Sequence, residues 1–331
     1  MDLSIAVLGA SGIAASHVES LRRIDGVDVR VVYSRSEGRA RGFAARSGIP
    51  DATGDLSHAL DDVDAVLIAS EPSRHADLAA RAMERGKHIL LEKPLDVDLD
   101  AASALARRAA GYSRVVSVVS QKRFDPVLLR MEEDFRKLAG PAMIDLRVFW
   151  QRAPEYYAAG SGWRRTQSDF FVNQGIHWLD VLNWFFGEPC EVRAFATAGR
   201  PEIACTDRAA AVLRYRDGSL ATVAGGSFVT RQAPDTFVIR CADGVLDHQA
   251  ISREPQRARK GARFLRPRAR ADSPSLAPLD LQARDFVEAI REGRAPTTTI
   301  DQALRALRLA LALSNRLKYD GGDEPTTSEH P

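Results

Sequence analysis

Five short apolar runs, separated by segments of helical spacing, fill the chain up to about residue 122, and this alternation limits the fold more than any other feature. The runs are Ser4–Leu8, Val27–Tyr33, Ala65–Ala69, His88–Leu91 and Val115–Val119. They are too short for helices of their own and rich in Val, Ile and Leu, the pattern of buried strands. Strands that alternate with helices are joined by crossovers and lie parallel. An open sheet of that kind binds ligands at the carboxyl ends of its strands.

After residue 140 the pattern changes. Met143–Trp150, Val192–Thr197, Ala209–Tyr215, Leu220–Phe228 and Thr236–Cys241 are longer strand-like segments, and Asp217-Gly218 and Asp243-Gly244 mark hairpin turns beside them. This half reads as a mostly antiparallel sheet with helices on one face. Ile300–Leu317 has leucines and alanines at helical spacing. A length of 331 residues favours two domains. The expected division is an α/β domain over 1–122, an α+β domain over 123–319 that includes a C-terminal helix at 300–318, and a polar tail over 320–331 that frays.

Charge and cysteine usage exclude several classes. Lys plus Arg number 46 against 44 Asp plus Glu, a net charge of +2 that gives no reason to expect nucleic acid or an anionic membrane as partner. The run Arg253 to Arg270 holds seven arginines and a lysine. A charge run of this kind is usually solvated, with a phosphate-bearing substrate or a neighbouring subunit as the next reading. Cys190, Cys205 and Cys241 are widely spaced and show no ligand pattern, so neither a disulfide frame nor a metal site is expected. No apolar stretch approaches the roughly 20 residues that span a bilayer, and the N-terminus runs straight into a strand. A soluble, cytoplasmic protein is expected.

The first strand leads into Gly9-Ala10-Ser11-Gly12-Ile13-Ala14, which has the position and spacing of a dinucleotide-binding loop with Ser11 in place of its middle glycine and Ala14 in place of its last. Gly12 keeps the loop permissive, and the helix N-terminus still offers N–H groups to phosphates. The second strand ends Tyr33-Ser34-Arg35. An acid there would suit a free ribose 2′-hydroxyl, whereas the hydroxyl of Ser34 and guanidinium of Arg35 suit a 2′-phosphate, so NADP is favoured over NAD.

Two further places carry chemistry. Glu92-Lys93-Pro94 directly follows the strand His88–Leu91, which puts a lysine at a strand's carboxyl end. Asn173, His177 and Asp180 are spaced by four and three and share one face of a helix. Gly175 within that helix costs up to about 1 kcal/mol against alanine, which suggests that a ligand approaches the backbone there. Asp180 either supports His177 from one turn away or caps or solvates the helix.

These pieces in this order resemble the Gfo/Idh/MocA family of sugar and cyclitol oxidoreductases, over essentially the whole chain. The marks are the glycine loop, Ser70-Glu71-Pro72-Ser73-Arg74-His75, Gly86-Lys87-His88 leading into Glu92-Lys93-Pro94, Arg123-Phe124-Asp125-Pro126, Asn173-Gln174-Gly175-Ile176-His177-Trp178-Leu179-Asp180, and Gly187-Glu188-Pro189. The resemblance implies a Rossmann domain, a second domain built on a large open sheet, and hydride transfer at the cleft between them. It implies Lys93 and His177 as catalytic residues, with His177 as general base and Lys93 holding the substrate oxygen. Cofactor contacts are expected from Gly9, Ser11, Gly12, Ile13, Ala14, Ser34, Arg35, Ser70, His75, Glu92, Lys93 and Pro94. His75 either shapes that pocket or simply starts a helix. Substrate contacts are expected from Arg123, Asn173, Asp180 and a segment with Tyr156, Tyr157, Trp163 and Arg164, in which aromatics stack on sugar faces and arginines bind carboxylates or phosphates.

The family usually has a glycine-rich stretch before Asn173. This chain has Ser168-Asp169-Phe170-Phe171-Val172, and two phenylalanines are expected to reshape the cleft wall. The expected activity is NAD(P)-dependent interconversion of a secondary hydroxyl and a ketone on a sugar, amino sugar or cyclitol, free or nucleotide-linked. The alternatives are a catalytically inactive cofactor-binding regulator or scaffold, and a dihydrodiol-type dehydrogenase. The family's open sheet implies a homodimer or homotetramer.

Overall fold

A computed structural model describes residues 2–159, 162–167, 169–249 and 277–319. The arginine-rich run, Ser168 and the expected tail lie outside these residues. Contacts divide the chain into two units, Met1–Leu129 with Ala269–Leu307, and Arg130–Arg268 with Arg308–Pro331.

In the first unit, strands β1 (Leu3–Leu8), β2 (Val27–Tyr33), β3 (Asp51–Thr53), β4 (Ala65–Ile68), β5 (His88–Leu91) and β6 (Val116–Val118) form a parallel sheet of order β3-β2-β1-β4-β5-β6. Helices α1 (Gly12–Arg22), α2 (Glu37–Ser47), α3 (Leu56–Leu60), α4 (His75–Glu84) and α5 (Leu99–Ala109) connect them. Ile5 to Leu8 on β1 and the whole of β4 are completely buried, as strands covered on both faces must be. The order reverses between β1 and β4, so the loops after these two strands diverge and leave a crevice at their ends.

The sequence alone does not predict β3. It has three residues with no apolar run and exists by pairing with Val31–Tyr33 at the sheet edge.

The chain also returns to this unit late. Helix α9 (Pro278–Glu292) buries Ala283, Phe286 and Val287 in the same cluster as Leu3, Ile5, Val18 and Leu21. Beside it, Gln282 is fully buried: its amide donates to the Val118 carbonyl and Thr298 Oγ1, both at 2.9 Å, and its oxygen accepts from Ser120 N at 3.0 Å. These bonds close the open edge of β6, which would otherwise leave backbone groups unpaired. The single boundary expected at 122/123 therefore does not describe this division. An apolar helical stripe shows that α9 packs on something, not on which sheet.

In the second unit, β7 (Met143–Phe149), β8 (Glu191–Thr197), β9 (Arg208–Arg214), β10 (Leu220–Gly226), β11 (Thr236–Cys241) and β12 (Gly244–Asp247) form a sheet of order β12-β11-β7-β10-β9-β8. Only the β7–β10 pairing is parallel. Gly218, at φ +88°, turns β9 into β10, and Ala242-Asp243 turn β11 into β12. Ile144, Leu146, Val148, Leu213 and Val223 face the buried side, while Met143, Phe195 and Val212 stay exposed. Helices α7 (Pro154–Ala158) and α8 (Ile176–Phe186) belong to this unit, whereas α6 (Pro126–Phe135) and α10 (Ile300–Leu313) each contain a unit boundary, α10 ending four residues before the expected Leu317. Among the described residues, no helix is long and apolar enough to cross a membrane.

Candidate active site

Gly9 leaves β1 at φ +131°, a conformation open to glycine, and a Cβ there would lie 2.5 Å from the Ala69 carbonyl oxygen. Its role is thus to let the loop lie flat on the end of β4. Ser11 explains its own departure from the fingerprint. It is the N-cap of α1, its hydroxyl accepting from Ala14 N at 3.3 Å and donating to the Ala69 carbonyl at 2.9 Å. The side chain faces its own loop, and the open surface lies over Gly12, where an added Cβ would meet nothing within 4 Å. The amides of Gly12 and Ile13 have no carbonyl partner within the helix, no acid stands in the first turn, and Ala14 is completely buried. A flat, open loop at a positive helix end fits a pyrophosphate.

Arg35 pairs with Glu71 at 3.3 Å, linking the loops after β2 and β4. The arginine side chain is 61% exposed, and exposed pairs contribute about 1 kcal/mol or less. A phosphate can therefore draw Arg35 away. Ser34 beside it donates its amide to the Thr53 carbonyl.

The turn after β5 is held from several sides. Glu92 is buried and its Oε1 lies 2.7 Å from Nε2 of His17, on α1, while its Oε2 accepts the Lys93 amide at 3.1 Å. The Lys93–Pro94 peptide is cis. His75, the first residue of α4, is buried with Nδ1 2.7 Å from the Pro94 carbonyl and Nε2 3.2 Å from the Ser70 carbonyl. Burial pushes the His75 imidazole below its ordinary pKa, more than these carbonyls and the charges of Glu92 and Asp96 raise it. A neutral ring has one N–H, and the shorter contact places it on Nδ1. His75 thus starts α4 and, through Nδ1, ties that helix end to the Lys93-Pro94 turn.

In the second unit, one π-helical turn, Phe171–Gly175, runs directly into α8. Asn173, Gln174, His177 and Asp180 are buried along this otherwise apolar stretch. Buried polar groups need partners. Asn173 Nδ2 donates to Tyr156 Oη at 3.0 Å, whereas Gln174 Oε1 is buried without a hydrogen-bond partner among the described residues. Trp178 anchors the helix: its indole and that of Trp150 donate to the two oxygens of Asp235 at 2.7 and 2.8 Å.

Several expectations change here. The group against Gly175 is the Phe171 ring, which would collide with any Cβ, and not a ligand. Phe170 and Phe171 are buried, with ring centroids 5.1 Å apart, and pack over Gly225, where a Cβ would lie 2.8 Å from Phe170. They are core residues, made possible by a glycine on β10. Tyr157 is also core, its hydroxyl 2.5 Å from Ser227 Oγ. Tyr156 is half-buried, with the guanidiniums of Arg152 and Arg164 at 5.1 and 4.8 Å from its ring centre. Arg164 also lies 4.5 Å from the Trp163 ring, so cations attend the aromatics expected to stack on sugar. Arg123, expected at the start of the substrate domain, is buried in the turn Gln121–Phe124, which belongs to the first unit.

Two family models match the chain, one described as "Oxidoreductase family, NAD-binding Rossmann fold" over residues 3–120, the other as "GFO/IDH/MocA C-terminal domain" over 137–247. The chain belongs to the Gfo/Idh/MocA family.

As a Gfo/Idh/MocA protein it is an NAD(P)-dependent oxidoreductase acting on CH–OH groups. Among the relatives it resembles is the 4-carboxy-2-hydroxymuconate-6-semialdehyde dehydrogenase of a Sphingobium species, 26% identical over 96% of this chain and 100% of that protein. Another is inositol 2-dehydrogenase 2 of Paenarthrobacter aurescens, 28% identical over 97% and 98%. The fold matches the WlbA dehydrogenase from Bordetella pertussis, solved with NADH and UDP-GlcNAcA, at a TM-score of 0.82 and 20% identity, covering 96% of each chain. In this Gfo/Idh/MocA chain, sequence reading missed His17, Ser227 and Asp235. Each acts through a partner at least 57 residues away, and a lone histidine on a helix face carries no local sign of such a partner.

Proposed function

We propose that the protein is an NADP-preferring dehydrogenase or ketoreductase that interconverts a secondary hydroxyl and a ketone on a sugar, amino sugar or cyclitol. The observation that carries this reading is the row of buried polar side chains, Asn173, Gln174, His177 and Asp180, in an apolar helix. The Gln174 oxygen, buried without a hydrogen-bond partner among the described residues, is an acceptor that a hydroxyl-rich ligand can satisfy. The inositol dehydrogenase relative and the sugar-nucleotide complex of the WlbA neighbour support the same class.

A bound nicotinamide supplies the hydride acceptor or donor. For oxidation, the hydroxyl proton leaves as the hydride does, and His177 receives it as general base. The Lys93 ammonium steadies the negative charge that develops on the substrate oxygen. Asn173, neutral and hydrogen-bonded to Tyr156, orients substrate hydroxyls without adding charge.

The test is a fluorescence titration with NADPH and NADH, followed by turnover assays on cyclitols, aldoses, amino sugars, nucleotide sugars and the carboxylated semialdehyde of the Sphingobium relative. Turnover of a ring polyol supports the proposal. Turnover confined to the semialdehyde, or tight cofactor binding with no turnover, overturns it.

Arg35 carries the NADP preference in this reading. Arg35→Asp is expected to weaken NADPH binding at least tenfold and to leave NADH binding nearly unchanged, because a carboxylate repels a 2′-phosphate and suits a free hydroxyl. An unchanged ratio of the two dissociation constants would show that Arg35 serves only Glu71.

The exposed sheet face with Met143, Phe195 and Val212 supports a homodimer or homotetramer. Phe195 is 85% exposed, and large apolar side chains clustered on a surface mark interaction sites. Phe195→Asp with Val212→Asp is expected to reduce the mass measured by light scattering to that of one chain. A wild-type mass would place any interface elsewhere.

A further inference from the structure

Three rings and two guanidiniums alternate around Tyr156 in the second unit. The guanidinium carbon of Arg152 lies 5.1 Å from the ring centres of both Trp150 and Tyr156, and that of Arg164 lies 4.8 Å from Tyr156 and 4.5 Å from Trp163. Rings against its faces leave a guanidinium its edge, which carries the N–H groups. Most of those groups are unused here. Arg152 donates from Nη1 to the Gln151 carbonyl at 2.8 Å, and Arg164 makes no hydrogen bond or ion pair among the described residues. The Nε of each is buried without a hydrogen-bond partner among the described residues.

The unit does not lack acids that could have been spent on these cations. Asp235, which meets the Trp150 indole, is shared with Trp178. Asp207 is bonded to Arg208, and Asp169 to Thr206 and Arg316. The backbone beneath the two arginines is also fixed. Arg200 donates to the carbonyls of Arg152 and Ser227, both at 2.6 Å, and the carbonyl of Arg165, next to Arg164, accepts Ala204 N at 2.7 Å. Holding cations half-buried without a counter-charge is unfavourable. Rigidly placed cations left in that state suit an anion that arrives with a ligand.

We propose that Arg152 and Arg164 form an oxyanion subsite, and that the substrate is a sugar or cyclitol bearing a carboxylate or a phosphate ester. This rests on the reading of a ring polyol as substrate. Tyr156 joins the subsite to the polar row on the π-helical turn and α8, because its hydroxyl accepts from Asn173 Nδ2 at 3.0 Å. Carboxylate and phosphate oxygens both match the planar fork of guanidinium N–H donors, whose charge does not change over any working pH. Hydrogen bonds to charged groups should favour the anionic sugar over its neutral counterpart by roughly 10–100-fold.

The test is isothermal titration calorimetry of the NADPH-loaded protein at fixed ionic strength. Its probes are glucose and galactose, the matching hexuronates, and the matching 6-phosphates. The anionic sugars are expected to bind at least tenfold tighter than the neutral ones. Arg152→Gln and Arg164→Gln, each made alone, are expected to cut that ratio at least tenfold at an unchanged melting temperature. Should one variant fail to fold, the wild-type comparison and the other variant still decide. A preference for the uronates identifies the group as a carboxylate, and a preference for the 6-phosphates identifies it as a phosphate ester.

Equal affinity for neutral and anionic sugars overturns the inference. So does the absence of binding by every anionic probe, or a preference that survives in both variants. If the anionic sugars bind through these arginines and no ring polyol is turned over, the dehydrogenase reading fails and the subsite stands. If a neutral polyol is turned over while the anionic sugars bind no better than it does, the dehydrogenase reading stands and the subsite fails.

Discussion

Replacing Lys93 with alanine is expected to lower turnover by roughly 10²–10³-fold, the usual effect of removing one group that stabilises charge in a transition state. Affinity for NADPH should hold within a few-fold, because the loop that fits the pyrophosphate, Gly9 to Ala14, is built on β1 and α1 and braced by Ala69, independently of the lysine side chain. The fold should survive as well. The turn around Lys93 is held through the backbone, by Glu92 on the Lys93 amide and His75 on the Pro94 carbonyl, and both bonds remain in the variant. Steady-state kinetics with the substrate found in the panel, together with a fluorescence titration of NADPH, provides the check. A wild-type rate would remove Lys93 from the chemistry.

His177→Ala is expected to cost a further large factor of its own, about 10²–10⁴-fold in kcat, since a positioned general base typically contributes that much. KM should change less, because substrate binding is shared with Asn173 and its neighbours. The helix itself should not move: Trp178, the next residue, is fixed through Asp235, and His177 supplies none of that anchor. A kcat loss at unchanged melting temperature separates chemistry from folding. A variant with full kcat would leave His177 as one more buried polar residue and would take the base out of the proposed mechanism.

What the sequence makes legible depends on the range of the interactions involved. β2, β5 and β11 have the bounds expected for them, because strands covered on both faces, or alternating cleanly, are written in local hydrophobicity. β3 is not so written, since pairing alone creates it. Ser11 departs from a fingerprint, and only the geometry of the loop shows that its hydroxyl caps α1. Gly175 is a sound signal of close approach, but letters cannot tell a ligand from the ring of Phe171. Tyr156 and Tyr157 are adjacent and alike in sequence, yet one stands among arginines and the other is bonded in the core. Lys93 and His177 could be singled out from motifs, whereas His17 could not, its partner lying 75 positions away.

The late return of the chain to its first sheet also bears on how the protein is made. The apolar side of that sheet is completed by Phe286 and Val287, while its first strand begins at Leu3. At ordinary rates of synthesis the ribosome needs on the order of ten seconds or more to travel from the end of β6 to α9. Throughout that interval a finished set of parallel strands must wait with a bare hydrophobic flank. Nascent chains of this protein are therefore exposed to aggregation for close to half of their synthesis, and a fragment cut after residue 122 would carry the same bare flank permanently.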